Sequence, residues 1–348
     1  MRNGVVLGVV VGSMIGCGGI GPGGLFGPSS GGEPTGEPDS GASSSSSGGS
    51  SSSGAGTLEA GSGGAVDSAA PIPEAGPIAM PDAGSACYSE PYDPTANIAD
   101  LASTFTSGDW WTASVTTMQR RYPTGYFVLN AEQGDPQLPQ FVDSSSWAGL
   151  MSSLMTMLDV ETSGWDFNSA TATMHPFVIT DSLQIQVQEL TTWQQGEILQ
   201  YITDSSTQTW DEAELQGQEG TYDGIFLLDD LDSACNGLAA ATAVGDQITS
   251  PIWARDDEAA HLYYLELFLR DGRLNHASAY AAIQADPMWQ KIVRYEWARG
   301  FFWDGQAQAN PDLQTAAAPI WAHVDDPTNL AEIQQFTGEA PAEVACHP

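Results

Sequence analysis

The chain changes composition sharply near residue 86, and this break decides which part of it can fold. Residues 17–86 consist largely of glycine, serine, proline and alanine, with runs such as SSSSSGGSSSS. Such a segment has too few apolar side chains to offset the entropy of ordering, so we expect a disordered linker. All 11 tryptophans lie in residues 87–348, a length that can bury a core. We therefore predict one acidic globular domain over 87–348.

The N-terminus has the features of an export signal. Residues 4–15 (GVVLGVVVGSMI) follow a short positive start and form an apolar run shorter than the roughly 20 residues that span a bilayer. This pattern predicts a signal peptide over residues 1–16. The segment Met14-Ile15-Gly16-Cys17 resembles the lipobox of bacterial lipoproteins, with methionine where leucine is usual. The resemblance implies that Cys17 is lipidated and anchors the chain to a membrane.

The same resemblance implies a location in the cell envelope. Gly18 stands where an aspartate often retains a lipoprotein at the inner membrane, so the outer membrane is indicated, with the domain facing the periplasm or the cell surface. The alternative is an ordinary secretory signal in which Cys17 is incidental.

The chain is strongly acidic. It has 44 acidic and 9 basic residues, a formal net charge of −35, and Lys291 is its only lysine. Affinity for nucleic acid depends on clustered cations that neutralise phosphates. The composition therefore argues against nucleic acid and anionic lipid headgroups as partners.

The cysteines predict one disulfide. After Cys17 an exported chain retains Cys87, Cys235 and Cys346, an odd number in an oxidising compartment. Cys87 and Cys346 lie near the two ends of the domain, and domain termini often lie close together. We expect these two to be bonded and Cys235 to be a buried free thiol.

Helical periodicity dominates the domain. Apolar residues three and four apart predict helices over 109–121, 145–161, 192–202, 222–244, 256–271, 277–285 and 287–304. Alternating apolar residues predict two strands, over 170–180 and 183–187, joined by a turn at Asp181-Ser182. The predicted fold class is mainly α (α+β), a single multi-helix domain with a small β-hairpin after a disordered N-terminal tether.

Metal-binding motifs are incomplete. The five histidines are His175, His261, His276, His323 and His347, and no His-Glu-x-x-His occurs. Glu258-x-x-His261 matches half of a di-iron bundle motif, but that site needs a second copy. We expect a glutamate at a helix N-terminus beside a packed or solvated histidine, and predict no metal and no cofactor.

Three acidic clusters offer an alternative cation site, because hard cations bind several oxygens. They are Asp229-Asp230-x-Asp232, Asp256-Asp257-Glu258 and Asp325-Asp326. None of them fits a calcium loop. We expect solvated charge at all three.

The tryptophans occur in two patterns, one typical of a buried helix and one that allows sugar binding. Trp289, Trp297 and Phe301 recur at helical spacing and predict a buried stripe. Trp110 and Trp111 cannot share one helix face, so one of them is expected to be partly exposed. Exposed tryptophans can stack on sugar rings, which leaves carbohydrate binding as an alternative.

Two predicted helices, within residues 145–245, resemble the zinc helices of zincin-type metallopeptidases. The resemblance places Asp159 and Ser163 where two histidine ligands stand, Val160 where the catalytic glutamate stands, and Asp230 where the later acidic ligand stands. Valine cannot accept a proton and serine is a poor zinc ligand, so the resemblance implies an inactive relative without catalytic residues. The alternative is that two ordinary amphipathic helices occupy these positions.

These features favour a lipid-anchored, non-catalytic binding or interaction module outside the cytoplasm. Its partners would be the membrane, through Cys17, and a protein or carbohydrate ligand that the sequence does not identify. The alternatives are a zincin-like metallopeptidase relative and a carbohydrate-binding surface protein.

Overall fold

A computed structural model of the protein describes residues 87–348. The predicted signal peptide, the lipidated Cys17 and the linker lie outside the described residues. All of residues 87–348 fall within one compact unit.

The fold is mainly helical, as predicted. Its α-helices within residues 87–348 are α1 (Ala99–Thr104), α2 (Trp110–Arg121), α3 (Pro123–Ala131), α4 (Trp147–Ser169), α5 (Gln208–Trp210), α6 (Gly224–Ala243), α7 (Ala254–Asn275), α8 (Ala277–Ala285), α9 (Pro287–Ala307), α10 (Ala317–Val324), α11 (Pro327–Thr337) and α12 (Pro341–Cys346). Short 3₁₀ turns also occur, and a π-helical turn at Asp211–Leu215 continues directly from α5.

Three of the four long helices, α4, α6 and α9, begin at side chains that accept hydrogen bonds from their first free N–H groups. Ser146 accepts a hydrogen bond from the N–H of Gly149 at the start of α4, and Asp223 accepts one from Ile225 at the start of α6. Asp286 does the same for the first turn of α9. Such caps each stabilise a helix by roughly 1 kcal/mol.

The predicted β-hairpin is present. β1 (Met174–Thr180) pairs antiparallel with β2 (Leu183–Gln188), with Phe177 opposite Ile185. Five consecutive residues of β1 are buried, because α4 and α6 pack against it. One of these five is His175.

The helices α4, α6, α7 and α9 pack together, and α6 contacts each of the other three. Gly237 allows α6 to approach α4 closely, since a Cβ there would lie 3.2 Å from the carbonyl oxygen of Met155. The predicted stripe on α9 is buried, including Trp289, Trp297 and Phe301.

One segment that was predicted to be an α-helix forms a different kind of helix. Residues 192–202 form a 3₁₀ turn at Gln195–Tyr201 instead of an α-helix. At Gly196 a Cβ would lie 2.6 Å from the carbonyl oxygen of Leu215 and 2.7 Å from that of Gly220. This close backbone packing, which is a tertiary contact, overrides the helical periodicity.

A disulfide joins Cys87 to Cys346, and Cys235 is a buried free thiol on α6. No helix within residues 87–348 is long and apolar enough to cross a membrane.

Candidate metal centre

Two of the three acidic clusters are buried, so the expectation of solvated charge at these two is wrong. Asp229 and Asp232 lie within α6, which has apolar residues on all sides and is therefore enclosed along most of its length. Asp257 and Glu258 are enclosed in the first turns of α7. Buried carboxylates require partners. Only the third cluster, Asp325-Asp326, is exposed.

The Arg299 guanidinium on α9 neutralises one part of this acidic interior. It is fully buried and donates hydrogen bonds to Asp232, to Glu90 at 2.8 Å and to Asn236 at 3.1 Å. Glu296, one turn earlier on the same helix, lies 3.3 Å from it. Burial raises the pKa of Glu296 to about 8 and that of Asp232 to about 6, although Arg299 opposes both shifts.

In a second part of the interior, no Arg or Lys among residues 87–348 forms an ion pair with the acidic side chains of Asp166 and Asp229. Asp166 near the end of α4, His175 on β1 and Asp229 on α6 each offer one ligand atom, and these atoms all lie within 4.8 Å of one another. All three residues are buried, and the Nε2 of His175 lies 3.6 Å from the Oδ1 of Asp229. We call this group the inner centre.

Most polar atoms of the inner centre receive no hydrogen bond from an N–H group. Within residues 87–348, neither ring nitrogen of His175 forms a hydrogen bond, and no N–H group donates one to Asp166. The neighbours of Asp166 are the carboxylates of Asp229 and Asp232, and burial together with these neighbours raises its pKa well above the usual range. Each unsatisfied buried polar group costs on the order of 1–3 kcal/mol.

Aromatic rings pack against the imidazole of the inner centre, and one hydroxyl group bonds to its Asp229. The rings of Phe167 and Phe177 lie 4.9 Å from the imidazole of His175, centre to centre. Ser163 donates a 2.7 Å hydrogen bond to the Oδ2 of Asp229, which orients that carboxylate and leaves its Oδ1 towards His175. Hydrogen bonds of this kind commonly fix the orientation of a carboxylate that binds a metal ion.

Glu214, Asp257 and His261 form another group whose ligand atoms lie within 4.8 Å of one another, which we call the outer centre. Glu258 does not belong to it: its carboxylate accepts a 3.6 Å contact from the Cys235 thiol instead. The two residues of the motif Glu258-x-x-His261 therefore lie in different sites: His261 belongs to the outer centre, and Glu258 contacts Cys235.

The zincin-like positions separate into three environments. Asp159 and Asp230 both lie beside the outer centre, where burial and its acidic groups raise the pKa of each well above the usual range. Ser163 contacts Asp229 of the inner centre. Val160 is buried among apolar side chains and has no chemical role.

A third group, Glu197, Asp271 and His276, lies near the C-terminal end of α7. Here the Oδ1 of Asp271 already accepts hydrogen bonds from Tyr201 at 2.9 Å and from Asn275 at 2.7 Å. His276 also lies 3.0 Å from Glu197, so most polar atoms of this group already have protein partners.

Trp110 and Trp111 are both half-buried and contact each other edge to face, with ring centres 5.7 Å apart. A surface cleft of about 570 Å³ lies elsewhere and is lined by Phe141, Asp143, Trp253 and several hydroxyl groups. Carbohydrate binding stays a prediction.

Sequence reasoning did not single out Asp166, and it named His175 only as one of five histidines. The sequence signal that could have identified Asp166 and Asp229 is their position in helices made mostly of apolar residues, where a carboxylate needs a partner. Comparison of the chain with protein-family models, with curated proteins and with solved structures found no match.

Proposed function

We propose that the protein is a cell-envelope lipoprotein whose folded part binds a divalent first-row transition-metal ion at the inner centre. One observation carries the proposal. Two carboxylates and an imidazole converge within 4.8 Å in the core, and the imidazole has no hydrogen bond from either nitrogen within the described part of the chain. A cation would supply the partner that these atoms lack.

The donor set suits a transition metal better than calcium or magnesium. Imidazole nitrogen is a good ligand for zinc, iron and nickel, whereas calcium takes six to eight oxygen ligands. The two carboxylates of Asp166 and Asp229 would neutralise a divalent ion, which favours binding in a dry site of low dielectric constant.

The burial of the inner centre favours holding an ion over catalysis. The side chains of His175 and Asp229 are each only 1% exposed, so a substrate has no direct approach to the ion. Closed ligand shells are typical of structural metal sites, and open positions of catalytic ones. The protein would act as a non-catalytic metal-binding module.

Replacing His175 with glutamine should abolish stoichiometric binding at this centre. The purified protein would be loaded with Zn²⁺, passed through a desalting column and analysed for zinc. Asp166→Asn should have the same effect, because it removes a charged ligand of nearly the same shape. His347→Gln, at an exposed histidine, is the matched control and should retain the ion. Full zinc retention by both His175→Gln and Asp166→Asn would contradict the proposal.

Zinc affinity at this centre should rise with pH. The raised pKa of Asp166 means that, without metal, it retains a proton at pH values where an ordinary aspartate has lost it. A metal ion must displace this proton, so a lower pH weakens binding. Titration calorimetry at several pH values would measure the trend, and an affinity independent of pH would contradict these ligands.

The location is proposed from the N-terminal sequence. If Cys17 carries the lipid, Cys17→Ser should release the protein from the membrane fraction into the soluble envelope fraction. Cell fractionation followed by immunoblotting would measure this. A variant that stays in the membrane fraction would contradict the lipoprotein assignment.

A further inference from the structure

The outer centre combines two helical side chains with one from an irregular turn. Asp257 and His261 are one turn apart on α7, and Glu214 comes from the π-helical turn at Asp211–Leu215. Such turns are rare and occur frequently at functional sites. The Nε2 of His261 lies 2.9 Å from the Oε2 of Glu214.

The imidazole of His261 is held in the orientation that metal-ligating histidines adopt. Its Nδ1 lies 2.9 Å from the backbone carbonyl oxygen of Asp257 and can donate to it. This hydrogen bond places the lone pair on Nε2. His261 is buried, and its Nε2 lies 2.9 Å from the Oε2 of Glu214, so without metal these two groups pair with each other and a metal ion would bind in place of the proton between them.

The carboxylate of Asp257 is also oriented by a hydrogen bond from a neighbouring side chain. The indole N–H of Trp210 donates a 2.6 Å hydrogen bond to its Oδ1. Bonds of this kind fix the direction of a ligating carboxylate. Asp159 and Asp230 also lie beside the group.

The outer centre differs from the inner centre in its access to solvent. The Glu214 side chain is 14% exposed, whereas His175 and Asp229 of the inner centre are each 1% exposed. Asp159 and Asp230 are also partly exposed. An ion could reach Glu214 without opening the hydrophobic core.

From this geometry we infer that Glu214, Asp257 and His261 form a second site for a divalent transition-metal ion, which exchanges its ion with solvent faster than the inner centre does. The site uses ligands separate from those of the proposed function. Its chemistry is the same, because imidazole and carboxylates select the same class of ion.

The test uses Zn²⁺ alone and the purified full-length protein. The protein is stripped of metal, loaded with excess Zn²⁺ and desalted in high-salt buffer, which weakens the binding of loosely held surface ions. Elemental analysis should find two zinc ions per chain in the wild type and one in His261→Gln. Glu214→Gln, at a partly exposed position where folding is less at risk, should also bind one, and His347→Gln should bind two.

A brief treatment of the loaded wild type with EDTA tests the difference in access. It should remove one ion quickly and leave the other, and in His261→Gln no fast phase should remain. One zinc ion in the wild type, retained in both His261→Gln and Glu214→Gln, would overturn the second site and leave the inner centre intact. One ion that is lost in these two variants and retained in His175→Gln would instead overturn the proposed function.

Discussion

Replacing Arg299 with methionine should lower the free energy of unfolding by about 3–5 kcal/mol, the range for breaking a buried ion pair by removal of one partner. The guanidinium is fully buried and is the shared partner of Glu90, Asp232 and Glu296. Methionine fills much of the same volume but leaves these carboxylates without a cation. Denaturant unfolding followed by circular dichroism would measure the loss.

The cost of Arg299→Met should shrink as the pH is lowered. The pKa values of Glu296 and Asp232, about 8 and about 6, lie above the usual ones, so in the folded protein these groups take up protons as the pH falls through that range. Once they are neutral, the attraction of Arg299 for them is lost. The destabilisation should therefore be largest above pH 8.

The matched control for this prediction is Arg120→Met, which removes a surface ion pair with Asp100 and should leave the unfolding midpoint nearly unchanged. Adding Asp232→Asn and Glu296→Gln to Arg299→Met should restore part of the lost stability, because it removes unpaired charge. An Arg299→Met protein as stable as the wild type at pH 8 would contradict the ion-pair account.

Removing the disulfide should have an effect of similar size. The bond joins residues 259 apart in sequence, and closing so long a loop raises the free energy of the unfolded chain, through lost entropy, by about 5.5 kcal/mol in the chain-entropy model. The double variant Cys87→Ser/Cys346→Ser should be less stable by up to this amount. Denaturant unfolding in non-reducing buffer would measure the difference.

This bond also holds the N-terminal segment that carries Glu90. Tyr88, next to Cys87, packs edge to face against Tyr295 and Phe302, and its hydroxyl donates a 2.8 Å hydrogen bond to Glu90. Adding reductant to the wild type should reproduce the lower stability of the double variant and leave that variant unchanged. Equal stability of the wild type and the double variant without reductant would contradict the account.

The fold could be predicted where apolar periodicity was strong. Residues 277–285 form α8 with the predicted bounds, and the turn at Asp181-Ser182 joins β1 to β2. The helices α3, α10, α11 and α12 were not predicted.

The candidate centres could be predicted only in part. The helical spacing of Asp257 and His261 is visible in the sequence, but Glu214 joins them through a turn that no periodicity indicates. The inner centre needs the contact between α4, β1 and α6, and Asp166 and Asp229 are 63 positions apart. Acidic residues expected to be solvated lie in the core instead, where burial raises the pKa values of their carboxyl groups.

Anomalous X-ray diffraction from crystals grown with Zn²⁺ would show whether the inner centre binds a metal ion. Data collected on both sides of the zinc absorption edge would locate each bound ion by element. The account predicts a peak enclosed by Asp166, His175 and Asp229, about 2.0–2.1 Å from one ring nitrogen of His175. The absence of a peak there, in crystals that bind zinc elsewhere or not at all, would contradict it.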